Sequence, residues 1–127
     1  MSPACDSLSF VNSTTAFRIA AVFGFAAVAL GAFGAHGLKP VLEANGTTAI
    51  WQTGALYHLV HSVVLLFVAG REPLSVWAWR LFALGMLIFS GTLYLLAVTN
   101  VKWLGAITPI GGLCLIAGWL ILAIRGK

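Results

Sequence analysis

The stretch Ile19–Leu38, with the sequence IAAVFGFAAVALGAFGAHGL, contains no charged residue in 20 consecutive positions. At a rise of about 1.5 Å per residue, a helix of this length spans the hydrocarbon core of a bilayer, which is about 30 Å thick. Because backbone polar groups find no water in that core, an apolar segment that crosses it alone forms a helix. The stretch therefore predicts a first transmembrane helix.

Three further charge-free stretches follow the first one. They contain 27, 21 and 22 residues and lie at 44–70, 81–101 and 103–124. Of the 127 residues, 61% are apolar and only 8% are charged, whereas a soluble domain is roughly 45–50% apolar and about 25% charged. This composition excludes a disordered chain, a nucleic-acid-binding protein and a disulfide scaffold. The sequence predicts an all-α, integral membrane four-helix bundle.

The predicted domain organisation is a tail followed by one membrane domain. Residues 1–15 mix Ser, Thr, Pro and Asp without periodicity, which predicts a flexible cytoplasmic tail. Residues 16–127 form a single four-span domain. Its spans are predicted at about 16–35, 50–69, 76–98 and 103–124. Between the first two spans, Pro40 suits the start of a short helix and Asn45-Gly46 its end, so we expect a short interfacial helix there.

The basic residues at the ends of the spans predict the topology. If both termini lie on one side of the membrane, that side has five Lys and Arg residues and the other side has two. The five are Arg18, Arg71, Arg80, Arg125 and Lys127, and the two are Lys39 and Lys102. Cytoplasmic loops carry the excess of basic residues. Both termini are therefore predicted to be cytoplasmic.

Small residues recur at a spacing of four along the first span, at Ala20 and Gly24 and at Ala27, Gly31 and Ala35. In a membrane, small residues let helices approach closely, and this close packing drives their association. We expect tight helix packing at Gly24, Gly31, Ala35, Gly91 and Gly112. The same ridge is a candidate contact for a homo-oligomer or a membrane-protein partner.

The second span has the most polar side chains. At 100° per residue, six of its residues lie in one half of the helix circumference. They are Thr53, Gly54, Tyr57, His58, His61 and Ser62. This half should face protein, because lipid would leave the imidazoles and hydroxyls without partners. Thr53, Tyr57 and His61 are expected to form an inward ladder, with Ser90 and Tyr94 of the third span as partners of His61.

These patterns define a candidate polar interior site. Its predicted residues are Tyr57, His58, His61, Ser90, Tyr94 and Thr108. One interpretation is that they form hydrogen bonds between helices. The alternative is a small transporter or channel-like protein, in which they line a path for a small solute or protons, since ionisable groups inside membranes are functional candidates. After Thr108, Pro109 removes one helix hydrogen bond and predicts a kink near residues 105–109.

The residues do not predict an enzyme or a cofactor. His58 and His61 are three residues apart and could supply two metal ligands, with Tyr57 or Cys114 as a third for zinc or copper. Nothing in the sequence, however, compels a ligand from a second helix. A di-iron bundle needs carboxylates from several helices, and Asp6, Glu43 and Glu72 all lie outside the spans. A haem held by His36 and His61 would need both ligands at a similar depth in the membrane. His36 lies at the outer edge of the first span, whereas His61 lies roughly 16 Å inside the second. No serine or cysteine has a base and an orienting acid beside it.

Four blocks of sequence together carry a resemblance to a known family. They are GAFGAH at 31–36, WQTG at 51–54 with Tyr57 and His61 after it, FSGTLY at 89–94, and TPIGG at 108–112 with Gly118 and Trp119 after it. In this order they resemble the transmembrane protein 256-like family, the bacterial domain of unknown function 423, over about residues 17–124. The resemblance implies a four-helix membrane protein and brings no reaction, cofactor or catalytic residue. We therefore expect a non-enzymatic, multi-pass component of the plasma membrane, in bacteria the inner membrane.

Overall fold

A computed structural model of the chain describes residues 12–126. This part of the chain is helical and has no strand. Its elements are α1 (Ser13–Ala35), α2 (Lys39–Asn45), α3 (Thr48–Ala69), α4 (Val76–Thr99), a 3₁₀ helix (Lys102–Ala106) and α5 (Thr108–Arg125). Four segments are long and apolar enough to cross a membrane, namely α1, α3, α4 and the 3₁₀ helix together with α5. The predicted all-α membrane fold is confirmed.

The first span begins earlier than predicted. The side chain of Asn12 accepts a hydrogen bond from the backbone N–H of Thr15 at 2.8 Å, and this cap satisfies one of the free donors at the start of α1. Residues 13–15, which were expected in the flexible tail, are therefore helical. The rest of the predicted tail, residues 1–11, lies outside the described residues.

The short helix predicted between the first two spans is confirmed as α2. Pro40 lies in its first turn, and Gly46 ends it with a φ of 67°, a left-handed conformation that glycine adopts without steric penalty. The turn after α2 is fastened to the far end of α4, because Thr47 Oγ1 donates to the Ala97 carbonyl at 2.6 Å and Asn45 Nδ2 donates to the same oxygen at 3.0 Å.

The fourth span contains a change of helix type where a kink was predicted. The 3₁₀ helix ends at Ala106, and α5 begins at Thr108 with Pro109 in its first turn. A proline at this position gives up an N–H that would have had no helical partner. Pro109 therefore starts an α-helix and does not bend one.

The spans pack as consecutive neighbours along the chain: α1 against α3, α3 against α4, and α4 against α5. At one end of the fold, Ser13 Oγ donates to the Glu72 carboxylate at 3.4 Å, and the Arg71 guanidinium donates to the Gly126 carbonyl. The start of α1, the turn between α3 and α4, and the end of α5 therefore lie together. The largest apolar cluster, which includes Phe82, lies in this half of the fold.

Close helix packing occurs at five buried glycines, none of which belongs to the predicted packing set. They are Gly34, Gly54, Gly85, Gly111 and Gly118. At Gly111, an added Cβ would lie 2.8 Å from the Gly85 carbonyl oxygen and 2.9 Å from Phe89 Cα. The backbones of α4 and α5 therefore meet directly at this point.

The packing predicted at Gly31, Ala35 and Gly91 is wrong within residues 12–126. No atom lies within 4 Å of a Cβ built on Gly31 or on Gly91, and Ala35 is exposed. Gly24 and Gly112 make only ordinary van der Waals contacts at 3.8 Å. The physical reason in α1 is rotation about the helix axis, because the residues buried along this helix are Ala16, Ala20, Ala27 and Gly34.

Candidate functional site

His61 is a hydrogen-bonded link between α3 and α5. Its Nε2 accepts from the indole N–H of Trp119 at 3.1 Å, and its Nδ1 lies 2.9 Å from the backbone carbonyl oxygen of Tyr57. An indole only donates, so Nε2 has no proton and the ring proton lies on Nδ1, which donates to the Tyr57 carbonyl. The imidazole of His61 is therefore neutral, and both of its nitrogens are satisfied.

The partners predicted for His61, Ser90 and Tyr94, lie elsewhere. Ser90 Oγ donates to the Gly54 carbonyl at 2.8 Å, and Gly54 is seven residues, or about 10 Å along a helix, from His61. The register between α3 and α4 thus places Ser90 near the N-terminal end of α3, away from His61. The actual partner of His61 is Trp119. The sequence indicates it only weakly, as one residue of a family-like block and as an indole N–H that needs an acceptor inside a membrane.

His58 links α3 to α4 through Tyr94. Its Nδ1 lies 2.9 Å from the Tyr94 hydroxyl, and the side chain is only 6% exposed. The other ring nitrogen, Nε2, is buried and has no hydrogen-bond partner within 3.5 Å among residues 12–126. The ring of Phe23, from α1, meets the His58 ring edge-on with centroids 6.1 Å apart. His58 is thus half satisfied, in contrast to His61.

Trp51 links α1 to α3 and was absent from the predicted site. Its indole N–H donates to the Leu30 carbonyl at 3.0 Å, and a Cβ on Gly34 would overlap the indole ring. The ring also packs on Tyr94, with centroids 4.6 Å apart. The hydrogen bond to Leu30 and the space left by the missing side chain of Gly34 therefore both hold the indole against α1.

The predicted inward ladder on α3 is wrong for two of its three members. Thr53 and Tyr57 are exposed, and only His61 is buried. The Tyr57 ring lies nearly parallel to that of His61, with centroids 5.9 Å apart. The fully buried polar side chain nearby is Ser62, whose hydroxyl donates to the His58 carbonyl at 2.7 Å.

Thr108, the remaining predicted residue, lies in a separate hydrogen-bonded pair. Its hydroxyl is 2.7 Å from that of Thr92 on α4. The predicted site therefore divides into separate links, of which His61–Trp119, His58–Tyr94 and Thr92–Thr108 are the side-chain pairs. Within residues 12–126, no group of three or more His, Cys, Asp or Glu side chains could hold a metal ion. Cys114 is a half-buried free thiol.

Several clefts lie beside these links, and two of them are lined by residues of both α3 and α4. The larger, with a volume of about 450 Å³, lies between α1 and α4, and His58 lies at its floor. The smaller, of about 300 Å³, is lined by residues of α3, α4 and α5 that include Tyr57, His61 and Trp119. Both clefts lie between spans.

Comparisons with known proteins agree on one family. The family described as "Protein of unknown function (DUF423)" matches residues 30–112. A UPF0382 membrane protein of Staphylococcus haemolyticus is 46% identical over 101 residues, which cover 76% of this chain and 82% of that protein. The UPF0382 membrane protein YwdK of Bacillus subtilis is 39% identical over 113 residues, with 84% and 90% covered. The UPF0382 inner membrane protein YgdD of Escherichia coli is 40% identical over 110 residues, with 83% of each chain covered. No solved structure matches the chain.

Proposed function

The chain belongs to the DUF423 family of membrane proteins, as its four sequence blocks predict, and we propose that it is a non-enzymatic membrane component. In this proposal its buried polar side chains join helices and do not form a reaction centre or a conducting path. The observation that carries the proposal is His61, whose two ring nitrogens are both hydrogen-bonded. A proton carrier needs a nitrogen that can exchange its proton, and here each nitrogen already has a fixed role.

Other polar side chains support the same proposal. The hydroxyls of Ser62 and Ser90 donate to backbone carbonyls, and those of Thr92 and Thr108 bond to each other. Each such bond between helices contributes about 0.6 kcal/mol on average in a membrane, with a maximum near 1.7. The bonds of Ser90 and of the Thr92–Thr108 pair join helices, whereas the Ser62 bond stays within α3 and satisfies that hydroxyl.

Substitution of His61 tests the proposal. We expect His61→Leu to lower the free energy of unfolding by about 1–3 kcal/mol, because it leaves the Trp119 N–H without its acceptor. His61→Gln keeps one donor and one acceptor, so its loss should be smaller. The measurement is unfolding of the full chain in mixed detergent micelles, together with proton flux into vesicles that contain the protein.

Tyr57→Phe is the matched control, because His61 uses only the backbone carbonyl of Tyr57. It should leave the free energy of unfolding unchanged. The proposal would be overturned if the wild-type protein conducts protons and both His61 variants abolish this flux while they keep their stability. That outcome would establish a functional histidine.

A small transporter or channel-like protein for a small solute or protons is the second candidate. It is favoured by the buried Nε2 of His58, which has no partner within the described part of the chain. In this case His58→Gln would abolish flux and leave stability unchanged. A structural role instead predicts that His58→Leu and Tyr94→Phe each destabilise the protein and that their effects are not additive, since both remove the same hydrogen bond.

We also propose that both termini are cytoplasmic. The end of the fold that holds the start of α1, the turn between α3 and α4, and the end of α5 carries four arginines, and the opposite end carries two lysines. The arginines are Arg18, Arg71, Arg80 and Arg125, and the lysines are Lys39 and Lys102. Reporters fused to either terminus of the full chain should register as cytoplasmic, and a terminal tag accessible from outside intact cells would contradict this topology.

Association with a second copy or another membrane protein through Gly24, Gly31 and Ala35 stays a prediction. The open space around Gly31 is compatible with such a contact. Chemical cross-linking of the full chain in membranes tests it, and Gly31→Leu should weaken any cross-linked species that forms through this ridge.

A further inference from the structure

The cleft between α1 and α4 has the dimensions of a ligand site. Its volume of about 450 Å³ falls in the range of about 300–1,000 Å³ that small-molecule sites occupy. Its walls are mainly apolar and include Ile19, Val22, Phe23, Ala26, Met86 and Leu87. Such a surface accepts a hydrocarbon chain without leaving polar groups unpaired.

The length of the cleft matches one leaflet of a bilayer. On α1 it runs from Arg18 to Leu30, a distance of about 18 Å for twelve helical residues. Half of a hydrocarbon core about 30 Å thick is about 15 Å. The cleft therefore extends from the membrane surface at which α1 begins to about the middle of the bilayer.

Arg18 lines the α1 wall of the cleft, and Arg80 lies at about the same depth on α4, beyond the part of that helix that lines the cleft. Gly24 faces Ser62, whose Cβ is 3.8 Å from a Cβ built on the glycine, and Ser62 Oγ lies 3.6 Å from the sulfur of Met86. Gly24 and Met86 are therefore level with each other. Since α1 and α4 both run opposite to α3, counting back six residues along each places Arg18 and Arg80 at one level, about 9 Å nearer the membrane surface.

The positions of both arginines suit the headgroup of a lipid. Arg18 lines the cleft, and Arg80 lies two helical turns before Leu87, on the same face of α4. The Arg80 guanidinium lies 5.5 Å from the centroid of the Trp77 ring, which is 60% exposed. Exposed tryptophans mark the interface of a membrane, and a guanidinium presents paired N–H groups that fit phosphate oxygens.

We propose that the cleft between α1 and α4 binds one anionic phospholipid, with its phosphate between Arg18 and Arg80 and one acyl chain along the cleft towards Leu30. The lipid comes from the leaflet at which α1 begins. Charge complementarity selects the headgroup, and the apolar walls and their length select the chain. This lipid site is additional to the structural links of the proposed function and does not depend on them.

Lipid titration of the purified full chain tests the site. Phosphatidylglycerol added to detergent micelles should raise the thermal unfolding midpoint of the protein and remain bound in native mass spectrometry, whereas phosphatidylcholine should do neither. Arg18→Gln and Arg80→Gln should each weaken phosphatidylglycerol binding by about tenfold or more, because hydrogen bonds to charged groups are lost. Arg125→Gln removes an exposed arginine at the end of α5 and should leave binding unchanged.

A pair of glycine substitutions tests whether the lipid lies in the cleft. Gly91 lines the cleft and Gly31 lies outside it, and no atom lies within 4 Å of a Cβ on either residue. Gly91→Leu should fold and abolish the phosphatidylglycerol shift, and Gly31→Leu should retain it. Equal stabilisation by the two lipids, or binding that neither arginine variant changes, would overturn the proposal. A dimer that Gly91→Leu dissociates, with lipid binding unchanged, would show instead that a second copy occupies the cleft.

Discussion

The contact between α4 and α5 and the facing walls of α1 and α4 both contain glycine, but only the first is closely packed. In the first, a Cβ on Gly111 would lie 2.8 Å from the Gly85 carbonyl oxygen, and one on Gly118 would lie 2.9 Å from the Phe82 ring. In the second, Gly91 faces a cleft of about 450 Å³. A glycine permits close approach, and the residue opposite it decides whether approach occurs.

The largest effect is expected where two backbones meet. Gly111→Ala adds a methyl group that overlaps the backbone of Phe89 and lies within 2.8 Å of the Gly85 oxygen. Because backbone atoms cannot rotate away as a side chain can, the helices must separate. We expect the free energy of unfolding in detergent to fall by about 3 kcal/mol or more.

The adjacent glycine provides the matched control. A Cβ on Gly112 would meet only the Phe89 ring, at 3.8 Å, and alanine favours a helix over glycine by roughly 0.5–1 kcal/mol. Gly112→Ala should therefore be neutral or slightly stabilising. If the two alanine variants have the same stability in this assay, the close approach of α4 and α5 is absent from the folded protein in detergent.

A smaller effect is expected at the recess that receives Trp51. Gly34→Ala would force the indole of Trp51 from its position. The displacement is costly because this side chain is buried and bonded to the Leu30 carbonyl. Since a buried ring moves less easily than an exposed side chain and more easily than a backbone, we expect a loss of about 2 kcal/mol. Unfolding of Gly31→Ala, three residues earlier in the same helix, should show no loss.

An equal loss in both variants would mean that Gly31 is also in close contact, as in an oligomer through the α1 ridge. That result would distinguish contacts within the chain from contacts between chains.

The sequence predicts the spans better than it predicts which faces of the helices meet. The charge-free stretches place all four spans, and Pro40 and Gly46 place α2, because these signals act locally. The rotation of α1 and the register of α3 on α4 depend on which side chains fit together across helices. The spacing of Gly31 and Ala35 is as regular as that of Ala27 and Gly34, so spacing alone does not identify the buried face.

The candidate site shows the same limit. Periodicity correctly groups His58 and His61 on the buried half of α3, but it also includes Tyr57, which lies at the edge of that half and is 42% exposed. The partners of the histidines come from other helices, and a single sequence has no signal that joins His61 to Trp119 rather than to Ser90. Depth estimates from the span ends failed because the register between α3 and α4 is set by Gly54 opposite Ser90.

The smallest effect is expected for a single hydrogen bond between helices that already pack together. Ser90→Ala removes the 2.8 Å bond to the Gly54 carbonyl and should lower the free energy of unfolding by about 0.6 kcal/mol, the average for such bonds in membranes. Ser62→Ala is the matched variant, because the Ser62 hydroxyl bonds a carbonyl of its own helix, and it should cost less still. If Ser90→Ala costs more than Gly34→Ala in the same unfolding assay, hydrogen bonds rather than packing hold these helices together. The contrast between closely packed and open glycines would then not explain the stability of the fold.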